Sequence, residues 1–205
     1  MRQSFLIIVL ILTSFSSFNS LAQAKWQENT HYKVISEKAS AQPKVQEIFS
    51  FWCPACNAFE RTVPKIKGAL PANIPFEKVH VNFNGSTTKE TQNYATAVML
   101  AAKALKTDVQ FNKALFNAIH LQRTSIASKA DILAVYAGTG ADVAKLEKMV
   151  TSFGIRSQVA KNDKIARGVR SVPTIIINEK YQATFTRDMT PAQSVELISW
   201  LVKQK

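Results

Sequence analysis

The stretch Phe51-Trp52-Cys53-Pro54-Ala55-Cys56 decides the fold, because it joins a strand-like run to a helical pattern and contains both cysteines of the chain. A disulfide between Cys53 and Cys56 would enclose so few residues that it would hardly constrain the unfolded state. A structural staple is therefore a poor explanation. The alternative is a dithiol that cycles between an oxidised and a reduced form.

The residues on either side of the cysteines predict a strand followed by a helix. From Val45 to Phe51 the sequence alternates with the two-residue period of a strand. Apolar residues then recur at helical spacing, at Phe59, Val63, Ile66 and Leu70. Cys53 therefore falls at the helix N-cap, with Pro54 at the first helical position, where its missing N–H costs nothing. We expect this helix to continue past Pro64 with a kink, because proline has no N–H for the carbonyl four residues earlier.

The predicted placement of Cys53 has a chemical consequence. Unpaired backbone N–H groups and the positive end of the helix dipole favour an anion at a helix N-terminus. Cys53 should therefore be a thiolate near neutral pH, which makes it both an attacking group and a good leaving group in disulfide exchange. We expect Cys56, one turn deeper, to be shielded and to act as the resolving thiol that attacks a mixed disulfide formed by Cys53.

Residues 1–24 follow the pattern of a secretory signal peptide. Arg2 supplies positive charge, residues 5–12 an apolar core, and Ala22-Gln23-Ala24 a cleavage site of small residues. We therefore expect cleavage after Ala24 and a mature chain in an oxidising compartment. The alternative, a retained membrane anchor, is weaker because the apolar run is far shorter than the roughly 20 residues a span needs.

The mature chain is strongly basic. Its formal charge falls from +12 to +11 when residues 1–24 are removed, because they hold Arg2 and no acidic residue. Such a balance can indicate nucleic acid, an anionic surface or acidic partners. Here the lysines are spread along predicted helices without a dense basic run or an aromatic array, so we expect no nucleic-acid binding.

The rest of the chain predicts an α/β domain that a helical segment interrupts. His31 to Ile35 indicates an edge strand, and Phe76 to Phe83 a second strand, parallel to the first if the intervening helix is a crossover. Residues 86–156 carry no strand signal. Their apolar stripes predict four helices, near residues 94–105, 111–119, 128–136 and 142–153.

The C-terminal part returns to a mixed pattern. Ser157 to Arg167 predicts a helix, and Val172 to Ile177 a β-branched strand that contains Pro173. Tyr181 to Phe185 would be the second strand of a hairpin. Thr190 and Gln193 have capping-box spacing at the start of the last helix.

These elements have the order of a thioredoxin-like domain, residues 25–85 plus 157–205, with an all-helical insertion at 86–156. The chain also resembles the DsbA family of periplasmic thiol:disulfide oxidoreductases over nearly all of its mature length. The motifs that carry the resemblance are Glu47 to Cys56, Lys78 to Phe83, Ser125 to Ile132, Arg167 to Thr174 and Tyr181-Gln182. A C-x-x-C motif alone is weakly specific, but in register with a downstream Val-Pro and behind a signal peptide it is strong.

The resemblance implies roles for the dithiol and for the loop that faces it. Cys53 matches the exposed nucleophile and Cys56 its buried partner. Val172-Pro173 matches a loop facing the dithiol, with a cis proline that leaves a strand edge open for an extended substrate segment. Pro54 and Ala55 belong to the same active-site motif. The family also implies a redox-active disulfide without a further cofactor.

Three more residues are candidates for the site. Glu47 lies among aromatic residues on its strand, an awkward place for a carboxylate unless it serves proton transfer or meets Lys78, which matches the family's nearby lysine. The alternative is an edge carboxylate that reaches solvent. Trp52 could contact substrates beside Cys53, although a core aromatic explains it almost as well.

One residue departs from the family pattern. The family's best-known dipeptide between the cysteines is Pro-His, and here it is Pro54-Ala55. An imidazole N–H near the Cys53 sulfur would stabilise a thiolate further, and alanine cannot do so. We therefore expect a less oxidising dithiol than the Pro-His form.

Metal chemistry fits the sequence poorly. A structural zinc site needs four ligands, and the chain offers two cysteines with His31, His80 and His120 scattered far apart. Haem attachment fails because Asn57, not histidine, follows Cys56.

The sequence thus predicts a monomeric oxidase that donates a disulfide to reduced, newly exported proteins. The resemblance implies a membrane quinone reductase of the DsbB kind for its reoxidation. A thioredoxin-like periplasmic reductase and a non-redox chaperone or assembly factor remain open alternatives. An isomerase would need a dimerisation domain, for which the segment before Lys44 is too short.

Overall fold

The computed structural model describes residues 25–204, so the predicted signal peptide and its cleavage site lie outside the described residues. Within them, five strands and eight helices follow one another in the predicted order. The elements are β1 (Tyr32–Val34), β2 (Val45–Phe49), α1 (Pro54–Phe59), α2 (Val63–Ala69), β3 (Phe76–His80), α3 (Lys89–Ala104), α4 (Asp108–His120), α5 (Lys129–Ala137), α6 (Val143–Val150), α7 (Phe153–Ala166), β4 (Thr174–Ile177), β5 (Tyr181–Ala183) and α8 (Pro191–Leu201).

The strands form one mixed sheet in the order β1-β5-β4-β2-β3. The predicted parallel pairing of the dithiol strand with the next strand is confirmed, since β2 runs parallel to β3 and antiparallel to β4. The predicted hairpin is confirmed as well: β4 and β5 pair across a three-residue loop in which Asn178 and Glu179 have positive φ. β1 pairs only with β5 and lies at the sheet edge, as predicted.

Apolar packing covers both faces of the sheet. On one face, α2 and α8 pack against Val45 and Ile175, and the helical insertion packs further along β2 against Phe49, which lies on the same side of the strand as Val45. On the opposite face, Ile48 and Ile176 pack against Ile165 of α7. Every residue of β2 is therefore buried, and its two-residue period does not separate a buried face from a solvent face.

The helix that opens at the dithiol is interrupted rather than kinked. We predicted one helix running past Pro64, but α1 ends at Phe59 and α2 begins at Val63. Pro64 cannot donate to the carbonyl of Glu60, and Thr62 becomes the N-cap of a new helix that has its proline in the first turn.

Two further boundaries differ from the prediction. β3 ends at His80, so Phe83 is not a strand residue and its side chain is about half exposed (48%). α6 ends at Val150 and α7 already begins at Phe153, because the Ser152 hydroxyl accepts a hydrogen bond from an N–H in the first turn of α7. The predicted domain boundary at residue 156 thus falls inside α7, and the division into two domains stays a prediction.

Helix starts are marked by side-chain caps. The predicted capping box of Thr190 with Gln193 is confirmed at the start of α8, and Ser128 with Asp131 forms a second one at the start of α5. In each box the hydroxyl accepts from the N3 backbone N–H while the N3 side chain accepts from the N-cap N–H. These local signals fix the helix starts independently of tertiary packing.

A buried asparagine attaches α7 to the edge of the sheet. β3 is an edge strand, so one side of its backbone has no neighbouring strand. The side chain of Asn162 accepts from the N–H of His80 at 3.1 Å and donates to the carbonyl of the same residue at 2.6 Å. Asn162 thereby replaces a neighbouring strand at this one position, and it is only 4% exposed.

We expect Asn162→Ala to lower the free energy of unfolding by about 2–4 kcal/mol, because it leaves two buried backbone groups of His80 without partners. Urea unfolding of the reduced protein measures this change. Asp163→Ala, at the next and exposed position of α7, is the matched control and should change stability by less than about 0.5 kcal/mol. Equal losses in the two variants would contradict the role assigned to Asn162.

Candidate active site

The two cysteines lie at the start of α1, just after the turn that connects it to β2. Cys53 is the N-cap of α1, as predicted, and Pro54 occupies the first turn. The Cys53 Sγ accepts a hydrogen bond from the backbone N–H of Cys56 at 3.2 Å. Both thiols are free, so the structure represents the reduced form.

The two thiols differ in access. Cys56 is fully buried, as predicted, whereas Cys53 retains 7% of its surface. Cys53 is thus less exposed than we expected for a nucleophile, but its neighbours Pro54 and Ala55 are exposed. An attacking sulfur from another molecule therefore approaches Cys53 more easily than Cys56.

Ionisation separates the two thiols further. Burial raises the pKa of Cys56 strongly, and its hydrogen bond with Cys53 raises it further. The charge of Glu47 adds to this effect. A thiolate at Cys56 is therefore costly and short-lived unless a proton reaches it.

The loop before β4 faces Cys53, as the resemblance implied. The Val172–Pro173 peptide bond is cis. The Cys53 thiol donates to the Val172 carbonyl oxygen at 3.5 Å. Val172 and Pro173 are both partly exposed, so this loop and the dithiol share one accessible surface.

Glu47 is a buried carboxylate at the centre of the sheet. It lies on β2, which is paired on both sides, so the alternative of an edge carboxylate reaching solvent is wrong. Its Oε2 accepts from the Lys78 Nζ at 2.8 Å, which confirms the predicted contact between Glu47 and Lys78. No residue among 25–204 donates to its Oε1. Burial raises the pKa of Glu47, and the positive charge of Lys78 offsets only part of that rise.

Lys78 connects this carboxylate to a second one. Its Nζ also pairs with Glu60, which lies at the C-terminal end of α1, and stands 4.3 Å from the centre of the Phe49 ring. Burial lowers the pKa of Lys78, but Glu47 and Glu60 together raise it by more, so the pKa lies above its ordinary value. The ammonium therefore stays charged although it is largely buried.

His80 is a buried residue whose part in the site the sequence did not indicate. It is fully buried against the rings of Phe51 and Trp52. Its Nδ1 lies 2.9 Å from the Thr96 hydroxyl, which itself donates to the Gln92 carbonyl, so the Nδ1 carries the proton. Burial lowers the pKa of His80 to about 3, and the ring is neutral at working pH.

His120 is a second residue that the sequence did not place in the site. Its Nε2 lies 2.7 Å from the carbonyl oxygen of Phe51, and it must carry the proton because a carbonyl only accepts. This bond ties the end of α4 to the segment just before the dithiol. No local pattern could reveal it, since the acceptor is a main-chain atom far away in sequence.

Trp52 lies in the apolar core and Ala55 on the surface. Trp52 is 6% exposed and belongs to the apolar core, so its surroundings match the core-aromatic alternative, and a contact with substrate stays a prediction. Ala55 is exposed in the first turn of α1, next to Cys53, and carries no group that could donate to the sulfur.

Within residues 25–204, no three side chains of the His, Cys, Asp and Glu types come together closely enough to hold a metal ion. In the same range no helix has the length and apolar character needed to cross a membrane.

The sheet, the helix that starts at Cys53 and the facing Val172-Pro173 loop define a thioredoxin-like dithiol protein. A family model for the DSBA-like thioredoxin domain matches residues 44–200. The Haemophilus influenzae thiol:disulfide interchange protein DsbA is 32% identical over 188 residues, which cover 89% of this chain and 88% of that protein. The chain therefore belongs to the DsbA family, and it is a thiol:disulfide oxidoreductase.

Solved structures agree with this assignment. The crystal structure of Pseudomonas aeruginosa DsbA matches with a TM-score of 0.74 and 26% identity, over 87% of this chain and 93% of that one. A Proteus mirabilis DsbA variant, solved with a non-covalently bound peptide, has the same fold: TM-score 0.75, 24% identity, 87% of this chain and 97% of that one. The predicted thioredoxin-like fold is confirmed.

The raised pKa of Glu47 predicts a pH dependence of stability. A carboxyl whose pKa is raised on folding binds its proton more tightly in the folded protein, so stability falls as pH rises from the ordinary value of 4.5 through the folded value. We expect the stability of the wild type relative to Glu47→Gln to fall steadily above pH 4.5. Urea unfolding of both reduced proteins between about pH 4 and 8 measures this difference. A difference that stays flat or rises with pH would contradict the assignment.

The exposed position of Ala55 predicts the effect of restoring an imidazole. We expect Ala55→His to shift the equilibrium with glutathione toward the reduced protein by about tenfold, about 30 mV for a two-electron couple. Ala55→Leu adds bulk without charge and is the matched control, which should change the equilibrium less than threefold. If Ala55→His left the equilibrium unchanged, the dipeptide would not set the strength of this oxidant.

Proposed function

We propose that the Cys53-Cys56 disulfide is donated to reduced, newly exported proteins in the periplasm. The observation that supports it best is the hydrogen bond from the Cys56 N–H to the Cys53 sulfur at the start of α1. A thiolate held at a helix N-terminus is a good leaving group, so the protein gives up its disulfide readily.

The reaction needs two sulfur exchanges. A substrate thiolate attacks the Cys53 sulfur, the bond to Cys56 breaks, and Cys56 leaves with the electron pair. A second substrate thiolate then attacks the substrate sulfur of the mixed disulfide and releases Cys53 as a thiolate. Two electrons and two protons pass from the substrate to the protein, and the substrate keeps the new disulfide.

Glu47 would supply or accept the proton at Cys56. The leaving Cys56 thiolate is buried and needs a proton at once, because burial raises its pKa. Glu47 is close enough to influence the Cys56 pKa, and its own pKa is raised, which favours a protonated carboxyl that can act as donor. Lys78 would position this carboxylate through their hydrogen bond.

The substrate would lie along the loop that faces the dithiol. The Val172 carbonyl is beside the Cys53 sulfur and partly exposed, so an extended segment with its cysteine at Cys53 could pair with the backbone there. Pro173 and Trp52 would border this segment. The peptide-bound Proteus mirabilis relative supports this kind of substrate.

The remaining parts of the proposal concern partners and location. The dithiol would be reoxidised by a DsbB-like membrane quinone reductase, and the protein would act as a monomer without a cofactor beyond its own disulfide. Residues 1–24 would direct export and would be removed by cleavage after Ala24. The dispersed positive charges give no reason to expect nucleic acid as a partner.

Oxidation of a reduced, unfolded secreted protein tests the proposal. We expect the oxidised wild type to introduce disulfides stoichiometrically. Cys53→Ser should lower the rate of thiol oxidation by a factor of at least about a thousand, because the attacked sulfur is gone. Cys56→Ser, the matched variant, should instead form a mixed disulfide when challenged with a substrate disulfide, since no resolving thiol remains.

Three outcomes would contradict the proposed function or the roles of its two thiols. A wild type that reduces insulin far faster than it oxidises thiols would favour the reductase. Suppression of aggregation that survives Cys53→Ser in the absence of any oxidation would favour a chaperone. Mixed disulfides formed through Cys56 in the Cys53→Ser variant would reverse the roles of the two thiols.

A further inference from the structure

A cavity of about 770 Å³ lies beside the dithiol helix but does not include either cysteine. It is bordered by α1 and α2 on one side and by α3 and α4 on the other, with Phe76 and Lys78 of β3 at its base. Its size is within the range of about 300–1,000 Å³ typical of small-molecule sites. Of the residues assigned to the proposed reaction at Cys53, only Lys78 borders this cavity.

The cavity wall is largely apolar. Met99, Leu100 and Phe116 contribute to it, and two strongly exposed apolar side chains, Val109 and Leu121, stand at its rim with 69% and 70% of their surface accessible. Exposed apolar groups of this size beside a cavity favour an apolar occupant, because such an occupant would remove their surface from water.

The same rim is positively charged. Lys78 is paired with Glu60, so within the cavity wall these two charges cancel. The other charged side chains are Arg61, Lys67, Lys103, Lys113 and Asp108. None of these five forms an ion pair with any residue among 25–204, which leaves a net charge of +3 around the opening.

A polar group in the cavity wall also lacks a partner. Asn112, on α4, is only 8% exposed, and its Oδ1 accepts no hydrogen bond from the described residues 25–204. A buried amide without a partner is costly, and its oxygen and nitrogen can exchange places by rotation. A ligand with a polar atom in the cavity would satisfy this amide.

We propose that this cavity binds an amphipathic anion, an apolar body that carries one carboxylate, sulfonate or phosphate group. The apolar body would lie against Met99, Leu100 and Phe116, and the acidic group would lie at the rim near Lys103 and Lys113. Charge complementarity supports an anion with an apolar body over a neutral compound, and a polar atom on that body would satisfy Asn112. The ligand could come as a free acid or as an anionic lipid.

The first test uses 8-anilinonaphthalene-1-sulfonate, a fluorescent anion with an apolar body, and the folded full chain in which both cysteines are serine. Removing the thiols keeps this test independent of the redox function. We expect saturable binding at one site that Lys103→Gln/Lys113→Gln weakens about fivefold to tenfold through loss of two charges. Lys145→Gln/Lys148→Gln removes two exposed lysines of α6 away from the cavity and is the matched control, with less than twofold change expected.

The second variant tests the apolar part. Val109→Ser/Leu121→Ser changes two exposed side chains, so the fold should persist and the unfolding midpoint should stay close to that of the wild type. We expect a weaker affinity for the sulfonate here as well. N-phenyl-1-naphthylamine, the uncharged counterpart of the probe, should bind at least fivefold more weakly to the wild type.

Three results would overturn the proposal: binding unchanged in both cavity variants, equal loss in the α6 control, or equal affinity for the neutral probe. Vesicles with and without phosphatidylglycerol then distinguish the sources. Binding to the anionic vesicles that disappears in Lys103→Gln/Lys113→Gln supports a lipid ligand, whereas binding of free dodecanoate without binding to vesicles supports a soluble acid. The oxidation of thiols by the lysine variant with intact cysteines should equal that of the wild type.

Discussion

The placement of β2 at the centre of the sheet is the constraint on which the site depends. Strands pair with it on both sides and helices cover both of its faces, so its last residue can move little. The chain leaves this strand at Phe49 and reaches Cys53 within a single turn. The Phe51 carbonyl accepts from His120, so the connecting segment is held by α4 as well as by the sheet. The position of the Cys53 sulfur is therefore set by the sheet and by the helical segment together, not by a loop.

The same central position makes an ionised Glu47 unfavourable for the stability of the fold. A carboxylate on a fully covered strand loses its hydration, and a single ammonium seldom repays that loss. Lys78 is shared between Glu47 and Glu60, and one oxygen of Glu47 has no donor among residues 25–204. Such a group contributes little to folding, and an apolar residue would pack there more favourably. The proposed proton transfer with the neighbouring Cys56 would account for a carboxylate at this point better than stability does.

Local patterns predicted much of this molecule because the physics that fixes them is local. A helix N-cap depends on one side chain and on the N–H groups of the next three residues, so the starts of α1, α5 and α8 could be placed from sequence. The contact between Glu47 and Lys78 was implied only by the family resemblance, and the structure shows its cause: the parallel pairing of β2 with β3 places the two residues opposite each other.

Other features needed contacts that sequence spacing does not encode. Asn162 replaces a neighbouring strand beside His80, and His120 reaches a main-chain carbonyl, so neither partner leaves a residue-type signal. Cys53 is less exposed than the sequence predicts, and the Val172 carbonyl, distant in sequence, lies against its sulfur. The sequence predicts a kink where the structure has a break between α1 and α2, because a proline near a helix start is compatible with either outcome.

The strength of this oxidant follows from which groups surround the Cys53 sulfur in the reduced protein. The start of α1 and the Cys56 N–H stabilise negative charge there, and they are main-chain features that almost any sequence between the cysteines would keep. The Val172 carbonyl acts in the opposite sense, because an oxygen that accepts from the thiol repels the thiolate. Ala55 adds nothing to either side. The named contacts of the Cys53 sulfur are therefore main-chain atoms, which makes the dipeptide between the cysteines a position where a side chain can adjust the driving force for disulfide donation.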